Sequence, residues 1–78
     1  VIKVIVTVMP KPSVLDPQGA AAAQAMKHLG LEGVQGVRIG KSIEFFLESA
    51  EEARIHEVCR DLLSNPVIED YEVQIVPA

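Results

Sequence analysis

The sequence predicts an α+β fold: a βαββαβ ferredoxin-like two-layer sandwich, with a four-stranded antiparallel sheet and two helices on one face. Three observations lead there. Apolar residues alternate with period two near both ends and in the middle of the chain, two segments with helical signals separate these runs, and proline or glycine punctuates the junctions. Two helices of this length cannot bury their apolar stripes on each other and also hide four strands, so both are placed on one face of a single sheet. Right-handed crossovers then put the first strand at the centre, flanked by the third and the fourth.

The first strand is read from Ile2, Val4, Val6 and Val8 on one face, with Lys3, Ile5, Thr7 and Met9 on the other. It stops at Met9-Pro10-Lys11-Pro12, where two prolines remove backbone donors. Asp16-Pro17 supplies a helix start, an N-cap carboxylate followed by proline at the first helical position, so a helix is predicted over Gln18 to Leu29 and ends at Gly30. Gly33 and Gly36 bracket a loop into a short second strand containing Val37 and Ile39. Gly40-Lys41 is a tight connection to the third strand, Ser42 to Glu48, and the pair reads as a hairpin. Ser49 can cap the second helix, with Glu52 three residues on as in a capping box. Ile55, Val58, Cys59, Leu62 and Leu63 then share the spacing of one buried face. Asn65-Pro66 ends that helix, and Tyr71, Val73 and Ile75 alternate with Glu72, Gln74 and Val76 in the last strand.

The chain has 78 residues, room for one domain, residues 1–78, and a core of this size rarely supplies more than about 3 to 5 kcal/mol. Cys59 is the single cysteine, which excludes an intrachain disulfide, and no Cys/His cluster suggests zinc. Self-association is the remaining supplement. The net charge is -4 and the seven basic residues are scattered, so nucleic acid is not expected as a partner. The apolar runs fall far short of the roughly 20 residues of a membrane span, and nothing resembles a signal peptide, so a cytoplasmic location is expected.

Little in the sequence promises chemistry. His28 precedes a helix end, where it suits the dipole, and His56 lies beside the apolar stripe; neither has a nucleophile at a useful spacing. Cys59 reads as a core residue, because Arg60 beside it points elsewhere around the helix. Gly40-Lys41-Ser42 lacks the upstream glycine of a phosphate loop and leads into a strand. No catalytic, cofactor or metal residue is assigned. The helix-free sheet face is expected to display Lys3, Ile5, Thr7, Arg38, Glu44, Phe46, Glu48, Glu72, Gln74 and Val76. With one aromatic ring, Phe46, it makes a poor stacking platform for bases. Ile5, Phe46 and Val76 come from three neighbouring strands and are the candidate self-association contacts. Gln18, Arg38 and Lys41 are the candidate partner contacts, because no local backbone rule requires their polar ends. A small-molecule-sensing regulatory domain of ferredoxin-like architecture is the alternative reading.

Val14-Leu15-Asp16-Pro17-Gln18-Gly19, Val37-Arg38-Ile39-Gly40-Lys41-Ser42-Ile43-Glu44 and Asn65-Pro66-Val67-Ile68-Glu69-Asp70-Tyr71 occur in this order within a short chain. Through these three segments the sequence resembles the PurS family, the small S subunit of phosphoribosylformylglycinamidine synthase. The resemblance implies a ligase complex of purine biosynthesis in which a glutaminase subunit releases ammonia and a large synthetase subunit uses ATP. It further implies that the S subunit is non-catalytic, forms a homodimer or higher oligomer, bridges those two partners, and assists assembly and ammonia transfer. ATP and glutamine would be used by the partner subunits, and no cofactor by this chain.

Overall fold

The computed structural model describes residues 1–78. Its centre is β1 (Ile2–Pro10), which pairs antiparallel with β2 (Lys41–Leu47) on one side and β3 (Glu69–Pro77) on the other. Register places Val4 between Phe45 and Ile75, and Val6 between Ile43 and Val73, so the alternation read in each strand converges on one apolar face. Val4, Val6 and Val8 are fully buried there, under Ile55 and Cys59 of the second helix. That helix, α2 (Glu52–Val58), continues into a π-helical turn, Cys59–Leu63.

The sheet has three strands, order β2-β1-β3, and not the four expected. The central position of the first strand is as anticipated, but the segment containing Val37 and Ile39 is not paired and makes no hairpin with β2. Its attachments explain this. The Ile39 N–H donates to Asp16 Oδ2 at 3.0 Å, and Gly40 sits so close to the Val8 carbonyl that a Cβ there would clash. The segment is therefore fastened to the end of β1 and runs on into β2 without a turn at Gly40-Lys41.

The first helix, α1 (Pro17–His28), also departs from the expected sandwich. It begins as anticipated, with Asp16 accepting from the Gly19 N–H at 2.9 Å and Pro17 in the first turn, and ends one residue early, before Gly30 at φ 94°. It has only marginal contact with the sheet, however, so the two helices do not lie side by side on one face. Its tether at Asp16 projects it past the end of β1. The result is elongated, 47 × 27 × 14 Å, with a radius of gyration of 15.7 Å. A compact chain of this length has about 11.5 Å.

Two expectations for the second helix are also corrected. Ser49 does not cap it: α2 begins after Glu51, which makes no side-chain capping bond. The predicted stripe is split, with Ile55 and Cys59 buried and Leu63 half-buried, while Val58 is 40% and Leu62 77% exposed. Val58 lies before the π turn and is exposed by the position of α2, whereas for Leu62 the turn is the reason, because a wider turn shifts the side chains within and after it around the axis relative to α spacing. Its end is fixed by Ser64, whose N–H and Oγ both donate to the Cys59 carbonyl, at 2.9 and 2.7 Å.

Candidate functional site

The residues singled out for contact fall into two regions. Gln18, Arg38 and Lys41 are all exposed around the junction where β1 ends, α1 begins and β2 starts. Asp16 organises this junction by accepting from Gly19 and Ile39, and those two backbone N–H bonds, with the nearby Arg38 guanidinium as a lesser contributor, hold its carboxyl below the usual aspartate range. Arg38 is not as free as the sequence suggested. Its Nη2 donates to the Pro10 carbonyl at 2.8 Å, satisfying the last acceptor of β1 from 28 residues away. Local sequence rules could not find that bond, because the distance is closed only by the fold.

Ile5, Phe46 and Val76 lie on the open sheet face, as the alternation anticipated, and Phe46 is 61% exposed. They do not form one continuous row. Lys3 stands directly between Phe46 and Val76 and reaches Glu44 at 2.7 Å, whereas Ile5 stands between Glu44 and Gln74. The apolar groups are therefore set diagonally to one another, with the Lys3–Glu44 ion pair among them. Sequence reasoning missed a second apolar feature, on the other face: a groove of about 160 Å³ whose apolar lining is Phe45, Leu47, Ile55 and Val58. The exposure of Val58, caused by the position of α2, is the signal that only the structure supplies.

Nothing at these places assembles a reaction centre. The largest hollow, about 290 Å³, is open and lined by Gln24, Lys27 and His28 alone, whereas ligand pockets usually start near 300 Å³ and enclose most of the ligand. Cys59 is fully buried, and burial pushes its thiol up, opposite to the direction that makes a nucleophile. His56 Nδ1 is 2.9 Å from the Tyr71 hydroxyl, a link between α2 and β3 that gives the histidine a structural place. No three His, Cys, Asp or Glu side chains gather where a metal ion could be held.

Comparison with known proteins decides between the synthase subunit and the sensing domain. The family model for PurS, described as phosphoribosylformylglycinamidine (FGAM) synthase, matches residues 3–77. The chain belongs to the PurS family. All three motif segments lie inside the match. The chain is 46% identical over 69 residues to the phosphoribosylformylglycinamidine synthase subunit PurS of Synechocystis, covering 83% of this chain and 69% of the relative. Identity to the Bacillus subtilis subunit of the same name is 43% over 76 residues, covering 94% of this chain and 90% of that one. Solved structures agree in shape: B. subtilis PurS superposes with a TM-score of 0.88 at 42% identity, covering 96% of this chain and 98% of the other. Methanocaldococcus jannaschii PurS, described as one of the subunits of formylglycinamide ribonucleotide amidotransferase, gives 0.86 at 34% identity, covering 100% and 99%. The matched region takes in nearly the whole of this chain, α1 included.

Proposed function

We propose that the chain is the small S subunit of phosphoribosylformylglycinamidine synthase in purine biosynthesis, acting as a non-catalytic bridge between a glutaminase subunit and a large synthetase subunit. The observation that carries this reading is the family match over residues 3–77, together with relatives named as subunits of that synthase. The work of the bridge is geometric: ammonia released at one site escapes or protonates unless the two large subunits are held together, and a wedge that binds both raises the coupled flux. ATP and glutamine belong to the partners, and this chain binds no cofactor. The place of action proposed is the cytoplasm, by likeness to a named subunit of a purine-biosynthesis synthase; no helix is long and apolar enough to cross a membrane.

Gln18, Arg38 and Lys41 are the proposed contacts to the large subunits, and Ile5, Phe46 and Val76 those of self-association, as a dimer or higher oligomer. The small core supports the latter. Reconstitution tests the function directly: the pure chain hydrolyses neither glutamine nor ATP, and its addition to both large subunits restores glutamine-dependent synthesis. With free ammonia supplied, the synthetase depends on it much less. Steady turnover by the chain alone would remove the adaptor reading.

A further inference from the structure

Where β1 stops, the open face of the sheet carries a hollow of about 280 Å³ lined by Thr7, Met9, Arg38, Asp70, Tyr71 and Glu72. Register sets its plan. Thr7 pairs with Glu72 and Met9 with Asp70, so β1 supplies the floor and β3 one wall, while Arg38 comes from the side on which the chain enters β2. The charges around it are unevenly matched. Asp70 is held by Lys11 at 2.8 Å. The Arg38 guanidinium bonds only to a neutral acceptor, the Pro10 carbonyl, and the nearby Asp16 carboxylate is already taken up by the Gly19 and Ile39 N–H groups. Glu72 meets no cation at all. One unpaired cation and one unpaired carboxylate thus share a hollow without bonding to each other.

The parts are held in place before any partner arrives. Fixing Arg38 at Pro10 removes rotamer freedom that binding would otherwise cost, and leaves the rest of its N–H donors over. Beside it the turn from Asn65 to Glu69 is closed by the Glu69 N–H donating to the Asn65 carbonyl at 2.8 Å and the Val67 N–H to Asn65 Oδ1 at 3.1 Å. The Lys11 N–H, donating to the Ile68 carbonyl at 2.8 Å, ties that turn to the end of β1. It holds Val67 out at 79% exposure, and Leu15, just beyond the turn closed by the Val14 N–H on the Lys11 carbonyl, stands at 83%. A fixed arginine flanked by exposed apolar side chains has the composition of a protein contact centre.

We propose that this end of the sheet docks on one of the large subunits, and that the hollow takes an uncharged side-chain amide, asparagine or glutamine, of that subunit. The amide oxygen accepts from Arg38, the NH2 donates to Glu72, and Leu15 and Val67 pack against apolar groups around it. This rests on the bridging role proposed above and gives one of its contacts a chemistry. The occupant follows from the two walls. A carboxylate would satisfy Arg38 but face Glu72 as a like charge, and a lysine would do the reverse. An amide answers both and adds no charge to a hollow whose own charges cancel. Shape excludes a free small molecule, since the space is open to solvent and would enclose too little of it, whereas a docked subunit brings its own cover.

Calorimetry of the full chain against each large subunit, with Arg38→Ala, Glu72→Ala and the double variant, tests this. Each single change weakens binding to the same subunit by roughly ten- to a hundredfold, and the double variant loses less than the product of the two, because both walls hold one group. The Glu72 side chain makes no bond within the chain, so its variant keeps the fold even where Arg38→Ala loosens the end of β1. Tighter binding by Glu72→Ala would identify a carboxylate in the hollow, and tighter binding by Arg38→Ala a cation; either overturns the amide. A double variant that loses the full product means two separate groups and overturns it too. Unchanged affinity in either single variant overturns the contact, while the bridging role stands as long as the wild type binds both subunits and restores glutamine-dependent synthesis. Wild-type chain that binds neither subunit removes both readings. A shifted association constant of the chain alone by sedimentation, with subunit binding unchanged, would put a second copy in the hollow and overturn the proposal.

Discussion

Asp16 shows how much one side chain can be asked to do in a chain of this size. Its carboxylate caps α1 through Gly19 and holds Ile39, so one charge fixes the start of the helix and the entry to β2. Because both bonds are made to the ionised form, its pKa is lower in the folded chain than the ordinary 3.8. The unfolded chain then binds the proton more readily, so the contribution is complete above the ordinary value and is lost as pH falls through the folded one. A pH series of urea midpoints for wild type and Asp16→Asn checks this: the wild type loses more stability below pH 4 than the variant does. Parallel curves would show that the carboxylate charge is immaterial. Cys59 makes a second prediction at this scale. With the thiol buried and pushed up, it reacts with a thiol reagent only as fast as the chain opens, so urea accelerates labelling steeply.

Among the elements, α1 and the segment that returns beside it form one arm, and their closest approach is at Gly19, which is buried against the Val37 carbonyl. Gly→Ala inside a helix ordinarily stabilises by about 1 kcal/mol. Here a Cβ would clash with that carbonyl oxygen and with the Asp16 carboxylate. Gly19→Ala therefore lowers the thermal midpoint instead of raising it, and loses helical signal by circular dichroism. A raised midpoint would mean that the arm can open at that point without cost. In α2 the π turn moves Leu62 outward and leaves Cys59 and Ile55 as the anchors. Sequence spacing predicted the anchors but not the slip, because i→i+4 and i→i+5 ladders need the same residue types.

For the whole molecule, shape and stability have one cause. Six of 78 residues are buried, too few for a self-sufficient core, and the arm stands away from the sheet. The self-association proposed above would supply the remainder, and stability would then follow concentration by mass action. The thermal midpoint is expected to rise by about 5 to 10 °C over a hundredfold increase in protein concentration. Phe46→Glu, on the open face, lowers the sedimentation-derived association constant while leaving the secondary-structure signal in place. A midpoint independent of concentration would show that the isolated chain is stable in this extended form.

The sequence by itself determined the three strands that form, their inward faces, the Asp16-Pro17 helix start and the family, because alternation, capping and motif spacing are local and survive in one dimension. It also placed Ile5, Phe46 and Val76 on one face, since parity along paired strands is enough for that. Only the tertiary structure decided that Arg38 reaches Pro10, that Lys3 divides the apolar patch, and that Val37 and Ile39 stay unpaired. A strand signal states that a segment can pair, and the choice of edge rests on which backbone groups are already taken. Asp16 and the end of β1 hold Ile39 and Gly40 away from a hairpin turn, and that long-range attachment leaves no mark in local sequence.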